Sequence, residues 1–231
     1  MQAALGLELN FGDDNGRLGT RVDQTEYVKL HDLVTSQFVE GDKVGTNTSI
    51  RALSGHETMT AFPVDDWGGK SQEIADDLAL ETVGGRNVCI RWNNSLGRPW
   101  GNTSYLTFFD PSNAMINVCY GQSEGGTFTQ KILDRYYTEV GAARTDDDRL
   151  LAIVRAIRAI HVVHPFRDAN GRLNVQLLLN KFLLEQGFSI TMIDQRYGLG
   201  AFGGVFSANQ LVALVKAGMQ QFKSYCKAKS M

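Results

Sequence analysis

The strongest constraint on this chain is a proline set between two stretches of helical periodicity. From Arg149 to Val163 the apolar residues Leu150, Leu151, Ile153, Val154, Ile157 and Ile160 recur at the spacing of one helix face. From Asn170 to Gln186, Val175, Leu178, Leu179 and Phe182 repeat the pattern. Pro165 lacks an amide hydrogen and its ring clashes with the preceding turn, so it cannot continue the first helix. The chain therefore breaks at His164 and restarts near Asn170, after a short loop.

The loop is dense in chemistry. It reads His164-Pro165-Phe166-Arg167-Asp168-Ala169-Asn170-Gly171-Arg172. Backbone amides at the new helix start, with the positive end of its dipole, make an anion site. Gly171 permits close approach to the backbone, and the guanidinium of Arg172 holds phosphate through a planar fork of donors. Asp168 is a hard oxygen ligand suited to magnesium, and His164 exchanges a proton near neutral pH. An imidazole, a carboxylate, an anion nest and an arginine together point to phosphoryl-group chemistry.

At these residues the sequence resembles the Fic family, whose motif is HPF, any residue, Asp or Glu, Gly, Asn, Gly, Arg, two more residues, Arg; here it reads HPFRDANGRLNV. The resemblance is strong over Arg149 to Gly187 and extends to Leu106 to Tyr137. It implies a mainly α fold: a Fic-like helical bundle with a small β-hairpin flap and an irregular N-terminal part. It also implies a protein adenylyltransferase that moves AMP from ATP to a Ser, Thr or Tyr hydroxyl. His164 would be the catalytic base and Asp168 the Mg2+ ligand. Ala169, Asn170, Gly171 and Arg172 would bind the phosphates, while Pro165 and Phe166 shape the loop and anchor it in the core. The implied partners are a target protein with an exposed hydroxyl, such as a host small GTPase, and a separate antitoxin.

Two positions depart from the pattern. Ala169 stands where glycine is usual, and Val175 stands where the second arginine belongs. In ATP-using members that arginine resembles a clamp on the terminal phosphate. Its absence keeps open a second donor, so that UMP, GMP or phosphocholine is transferred instead. A third reading keeps the Fic shape as a non-catalytic binding protein.

Upstream, Thr25 to Glu40 has helical spacing, and Ser36 to Gly41 fits Ser/Thr-x-x-x-Glu-Gly/Asn, which resembles the self-inhibitory helix of some Fic proteins; its arginine partner is replaced by Val175. Residues 42–69 read as loops or short strands, and Ser71 to Val83 as a helix. Residues 88–92, 105–109 and 114–120 are β-prone, and the run Tyr105 to Tyr120, broken at Asp110-Pro111-Ser112-Asn113, is the hairpin candidate. Ile132 to Val140 opens the helical half, Thr145 to Asp148 caps the next helix, and Gly187 ends the motif helix. Ser207 and Gln210 form a capping box for a last helix, Leu211 to Tyr225. The expected division is 1–80, an N-terminal helical and irregular extension, and 81–231, the Fic-like catalytic domain, with one continuous domain as the alternative.

Rival motifs are weaker. Gly198-Leu199-Gly200-Ala201-Phe202-Gly203 fits GxGxxG, but no acidic residue follows Asp194, so the segment reads as a flexible loop rather than a dinucleotide site. His161 reads as a core-side or helix-flank histidine. A net charge of -2 gives no general affinity for nucleic acid or membrane, and no apolar run reaches the roughly 18 residues of a membrane span. Three cysteines cannot all pair, which points to free thiols and a reducing compartment. The expected location is cytoplasmic as made, with injection into a host cell, independent of a secretory signal, left open.

Overall fold

The computed structural model describes residues 21–35, 56–60, 82–83, 86–87, 89–93, 105–109, 115–119, 124–163, 165–166 and 169–229; for the strands and for 124–128, 163, 195–197 and 204–205 it describes backbone alone. Among the described residues the first helix, α1, is Gln24–Thr35. Among the described residues six short strands follow: β1 (His56–Thr60), β2 (Thr82–Val83), β3 (Arg86–Asn87), β4 (Cys89–Asn93), β5 (Tyr105–Phe109) and β6 (Met115–Cys119). The hairpin expected at 105–120 is present as β5 against β6, antiparallel, with Tyr105 opposite Cys119 and Phe108 opposite Ile116. It sits inside a sheet of order β1-β6-β5-β4, in which β4 runs parallel to β5. Of the helix expected over Ser71 to Val83, residues 71–81 lie outside the described residues, and its last two are corrected. Thr82–Val83 pair as a strand with Arg86–Asn87, consistent with the β-branched pair that closes that run.

The helical half is a bundle of mainly α type. It contains α2 (Glu124–Ala142), α3 (Asp146–Val163) and, after the kink, a motif helix wound with i→i+5 bonds over Arg172–Leu178 and as α4 over Leu179–Glu185. A short α5 (Gln195–Gly200), a second π-wound turn (Ala201–Val205) and the long α6 (Ala208–Lys229) complete it. The segment read as a flexible loop, 198–203, is thus helical, and Gly198, Gly200, Ala201, Phe202 and Gly203 are buried. Small residues let this short helix lie close to its neighbours, which offsets their poor intrinsic helix propensity.

The apolar stripes named from the sequence make one core. Ile132, Leu133 and Tyr136 of α2, Ile153, Val154, Ile157 and Ile160 of α3, Leu178, Leu179 and Phe182 of the motif helix, and Leu211 and Val215 of α6 are all buried in it. Tyr136 stacks on Phe182 with ring centroids 4.0 Å apart. Val22, Tyr27 and Leu30 from the N-terminal side join the same cluster. Exposed charges link elements at the rim: Arg21 with Asp134 at 2.7 Å and Lys216 with Asp147 at 2.6 Å. Such exposed pairs are worth little each, so the shared apolar cluster carries the stability.

Helix ends follow the expected chemistry. Thr145 Oγ1 accepts from the Asp148 amide at 3.1 Å, and Asp148 accepts in return from Thr145 N at 3.0 Å. Ser207 and Gln210 exchange the same pair of bonds, at 3.2 and 2.9 Å, and start α6 three residues earlier than its apolar spacing marks. Gly187, at φ +78, ends the motif helix, with Phe188 N donating to Leu183 O at 2.9 Å.

Candidate functional site

The kink lies where the proline places it. α3 ends at Val163, and Pro165 and Phe166 are buried directly after it. Phe166 is wholly buried and is stacked on His31 of α1, with centroids 3.7 Å apart and planes 13° from parallel. Tyr27, one helical turn earlier in α1, closes on the same ring at 5.3 Å. Tyr27 also donates its hydroxyl hydrogen to Asn174 Oδ1 of the motif helix at 2.7 Å, in a buried bond. The N-terminal helix thus fixes the loop and the following helix at once. The helical spacing of Thr25 to Glu40 gives no sign of either contact, since both partners lie more than a hundred residues on.

The loop is pinned from within by Asn170. Its Oδ1 accepts from Phe166 N at 3.0 Å, and its Nδ2 donates to Phe166 O at 2.7 Å. Both ends of one carboxamide therefore hold one backbone residue, and Asn170 is 1% exposed. Its side chain serves the loop's shape, so any contribution to an anion grip falls mainly to its backbone amide. The first helical bond is Leu173 N to Ala169 O at 2.8 Å, and no side chain caps the helix ahead of it. The amides of Asn170 and Gly171 have no acceptor within the helix.

Ala169 has φ +65, the left-handed region, and is buried. This explains why glycine is usual at that position: the constraint is conformational more than a matter of space. Gly171 answers to a different neighbour. A Cβ there would lie 2.2 Å from Leu199 Cδ2, so Leu199 of α5 rests on the first turn of the motif helix. Val175, one turn further on, is buried at 4% exposure, and a Cβ at Gly198 would stand 3.2 Å from its Cγ1. Arg172 is half-buried. His164, Arg167 and Asp168 lie outside the described residues, as do Ser36 to Gly41 with Glu40. His161 is buried on α3, as its position on the apolar side suggested.

Two remaining features concern the surroundings. Lys181 and Glu185 form a buried ion pair one turn apart on α4. Burial pushes the Glu185 carboxyl above its ordinary range, while the hydrogen bond from Lys181 opposes the rise. The same burial raises the hydroxyls of Tyr136 and Tyr137. In the long α6, Lys223, Lys227 and Lys229 are exposed, which fits a solvated face. Among the described residues no helix is long and apolar enough to cross a membrane, and Cys226 is exposed and not in a disulfide.

A helical bundle with its kink pinned by Phe166 and Asn170, and with a hairpin upstream, is a mainly helical, Fic-like fold. No protein-family model matches the chain. It is similar to the phosphocholine transferase AnkX of Legionella pneumophila, at 42% identity over 89 residues. That stretch covers 38% of this chain and 9% of AnkX, so the chain spans only a small part of that protein's length. A likeness to a transferase agrees with the class of chemistry that the HPFRDANGR motif implies.

Proposed function

We propose that this chain is a group transferase of the Fic type that moves phosphocholine from a diphosphate donor such as CDP-choline to a hydroxyl of a target protein. The observation that carries this reading is the similarity to a phosphocholine transferase, and the buried Val175 in place of a second motif arginine supports it. Transfer of AMP from ATP, or of UMP or GMP, is the same chemistry with another donor. An aliphatic side chain at position 175 makes it the second choice.

In this reading His164 accepts the proton of a target Ser, Thr or Tyr hydroxyl, whose oxygen attacks the phosphorus bearing choline. The phosphoanhydride bond breaks, CMP leaves with the bonding pair, and phosphocholine stays on the protein. The amides of Asn170 and Gly171, with Arg172, would hold the diphosphate oxygens as a preorganised cradle. Asp168 would hold Mg2+, which supplies charge neutralisation at the diphosphate, a donor set of one carboxylate plus phosphates that magnesium accepts. The β5–β6 hairpin would align the target segment by strand pairing. The target would be a host protein and the enzyme effector- or toxin-like.

The test offers CDP-choline, ATP, UTP and GTP side by side to a lysate, with wild type and His164→Ala. Mass spectrometry of the adduct identifies donor and acceptor together. A phosphocholine adduct present with wild type and absent with His164→Ala is the expected result. A nucleotide adduct selects the second donor class, and nucleotide binding without any adduct would favour the binding-protein reading.

A further inference from the structure

We infer that Tyr27 is a positioning residue. Its hydroxyl, bonded to Asn174, holds the first half of the motif helix in its i→i+5 winding and so sets the direction of the Asn170 and Gly171 amides. The inference deepens the group-transfer reading above and rests on it for the role of those amides in holding a donor.

The winding itself requires a cause. Seven residues, Arg172–Leu178, are wound with i→i+5 bonds before α4 takes over at Leu179. Such winding is rare, is mostly confined to single turns, and recurs at functional sites. Leu179 N donates to Asn174 O, five residues back, where α winding would use Val175 O. Asn174 therefore supplies a carbonyl at the point where the wide turns end. Its side chain is also the one that α1 holds, since Tyr27 Oη donates to Asn174 Oδ1 at 2.7 Å. One residue thus carries both an i→i+5 bond and the tie to α1.

The three asparagines of the motif helix separate this role from ordinary packing. Asn170 uses both carboxamide atoms on Phe166, at 3.0 and 2.7 Å. Asn180 uses both as well: its Oδ1 accepts from Thr191 N at 2.7 Å and its Nδ2 donates to Gln176 O at 2.8 Å. Asn174 is wholly buried, yet its Nδ2 has no hydrogen-bond partner among the described residues. A buried donor left unpaired is costly, and a leucine would fill the same place without one. Asn174 is therefore matched to Tyr27 and not to its own helix. Asn170 and Asn174 are four apart and share one side of the helix. That side meets Phe166 and Tyr27, whose rings lie 5.3 Å apart. A pull on Asn174 is felt one turn upstream, where the amides of Asn170 and Gly171 have no acceptor in the helix.

The experiment reads through-hydrogen-bond couplings by NMR on the full, isotope-labelled chain, which identify the carbonyl that each amide uses. Wild type, Tyr27→Phe, Asn174→Leu and Leu199→Ala are compared, the last because Leu199 rests on Gly171 from α5 and is the rival cause. Each also receives a thermal melt and an assay of phosphocholine transfer from CDP-choline in a lysate. Wild type should couple Leu179 N to the Asn174 carbonyl. Tyr27→Phe keeps a ring beside Phe166, and Asn174→Leu leaves α1 unaltered. Both should move that coupling to Val175, shift the amide signals of Asn170 and Gly171, and lower turnover by about tenfold or more. If one of the two melts early, the other decides. A wild type that couples Leu179 to Val175 overturns the inference, as does an Asn174 coupling retained in both folded variants. A change confined to Leu199→Ala overturns it too, and so does turnover that holds while the coupling moves. If wild type transfers nothing from any donor, the group-transfer reading falls, and the couplings and amide signals alone uphold or overturn the inference.

Discussion

Two helices of this chain begin in opposite ways. α3 opens with a closed capping box: Thr145 and Asp148 satisfy each other's amides, three aspartates face the dipole, and the first turn is exposed. The motif helix opens with no side-chain cap, a left-handed alanine before it, and an asparagine turned backward onto Phe166. One start spends its polar side chains on its own amides. The other spends its asparagine on the preceding loop and leaves early amides without an acceptor in the helix. A sealed start is architecture, whereas an unsealed start beside a pinned loop is where an anion finds donors already aimed.

The contrast is broken most severely at Asn170. Asn170→Ala leaves Phe166 N and O without their buried partners, a loss on the order of 2–4 kcal/mol. A urea titration measures it, and Asn170→Asp, which keeps the acceptor for Phe166 N, should recover part. Equal stability of Asn170→Ala and wild type would mean that the loop is held by Phe166 packing alone. Next comes Tyr27→Phe, which removes the donor to Asn174 Oδ1 and should cost about 1–3 kcal/mol, since that oxygen stays buried. A melt unchanged by Tyr27→Phe would show that α1 contributes its rings and not its hydroxyl.

How far the sequence reveals this depends on what each feature rests upon. The kink, the apolar faces, both capping boxes and the Gly187 stop were legible, because each follows from local chemistry within a few residues. The hairpin was legible too, from alternation broken by a turn cluster. Helix α5 was not. Its three glycine-spaced positions look like a loop until their partners are known, and those partners, Gly171 and Val175, lie more than twenty residues away. Likewise His31 on Phe166 and Tyr27 on Asn174 join segments over a hundred residues apart, beyond any periodic signal. Local rules named the loop's residues; only packing showed that Phe166 and Asn170 hold it.

The sealed start makes a smaller prediction, with a sign in pH. Thr145→Ala should cost ~1 kcal/mol, the usual worth of a cap. The Thr145 hydroxyl is the foremost cause holding Asp148 below its ordinary value of 3.8. A depressed carboxylate stabilises above its unfolded value and loses that contribution as pH falls through the folded one. Thr145→Ala should therefore weaken the acid-side loss of stability. Glu185 runs the other way: burial raises it above 4.5, so its contribution is present below that pH and fades as pH climbs through the raised value. Stability curves of Thr145→Ala and Glu185→Gln, recorded from pH 2 to about 7 to span both ranges, should flatten on opposite sides.

The smallest expected effect sharpens the contrast most. Ala169 at φ +65 carries the left-handed penalty of about 1–2 kcal/mol for a residue with a Cβ. Glycine removes it, but glycine also gains freedom in the unfolded chain, about 0.4–1 kcal/mol against the fold. The difference leaves Ala169→Gly more stable by ~0.5–1 kcal/mol, readable as a rise in melting temperature. Since Ala169 is buried, a drop instead of a rise would mean that packing outweighs the torsional strain. Donor turnover should be read on the same variant. If stability rises while turnover holds, the alanine is a tolerated replacement within an intact cradle. If turnover falls as stability rises, the strained backbone itself sets the direction of the Asn170 and Gly171 amides, and the unsealed start is tuned rather than merely open.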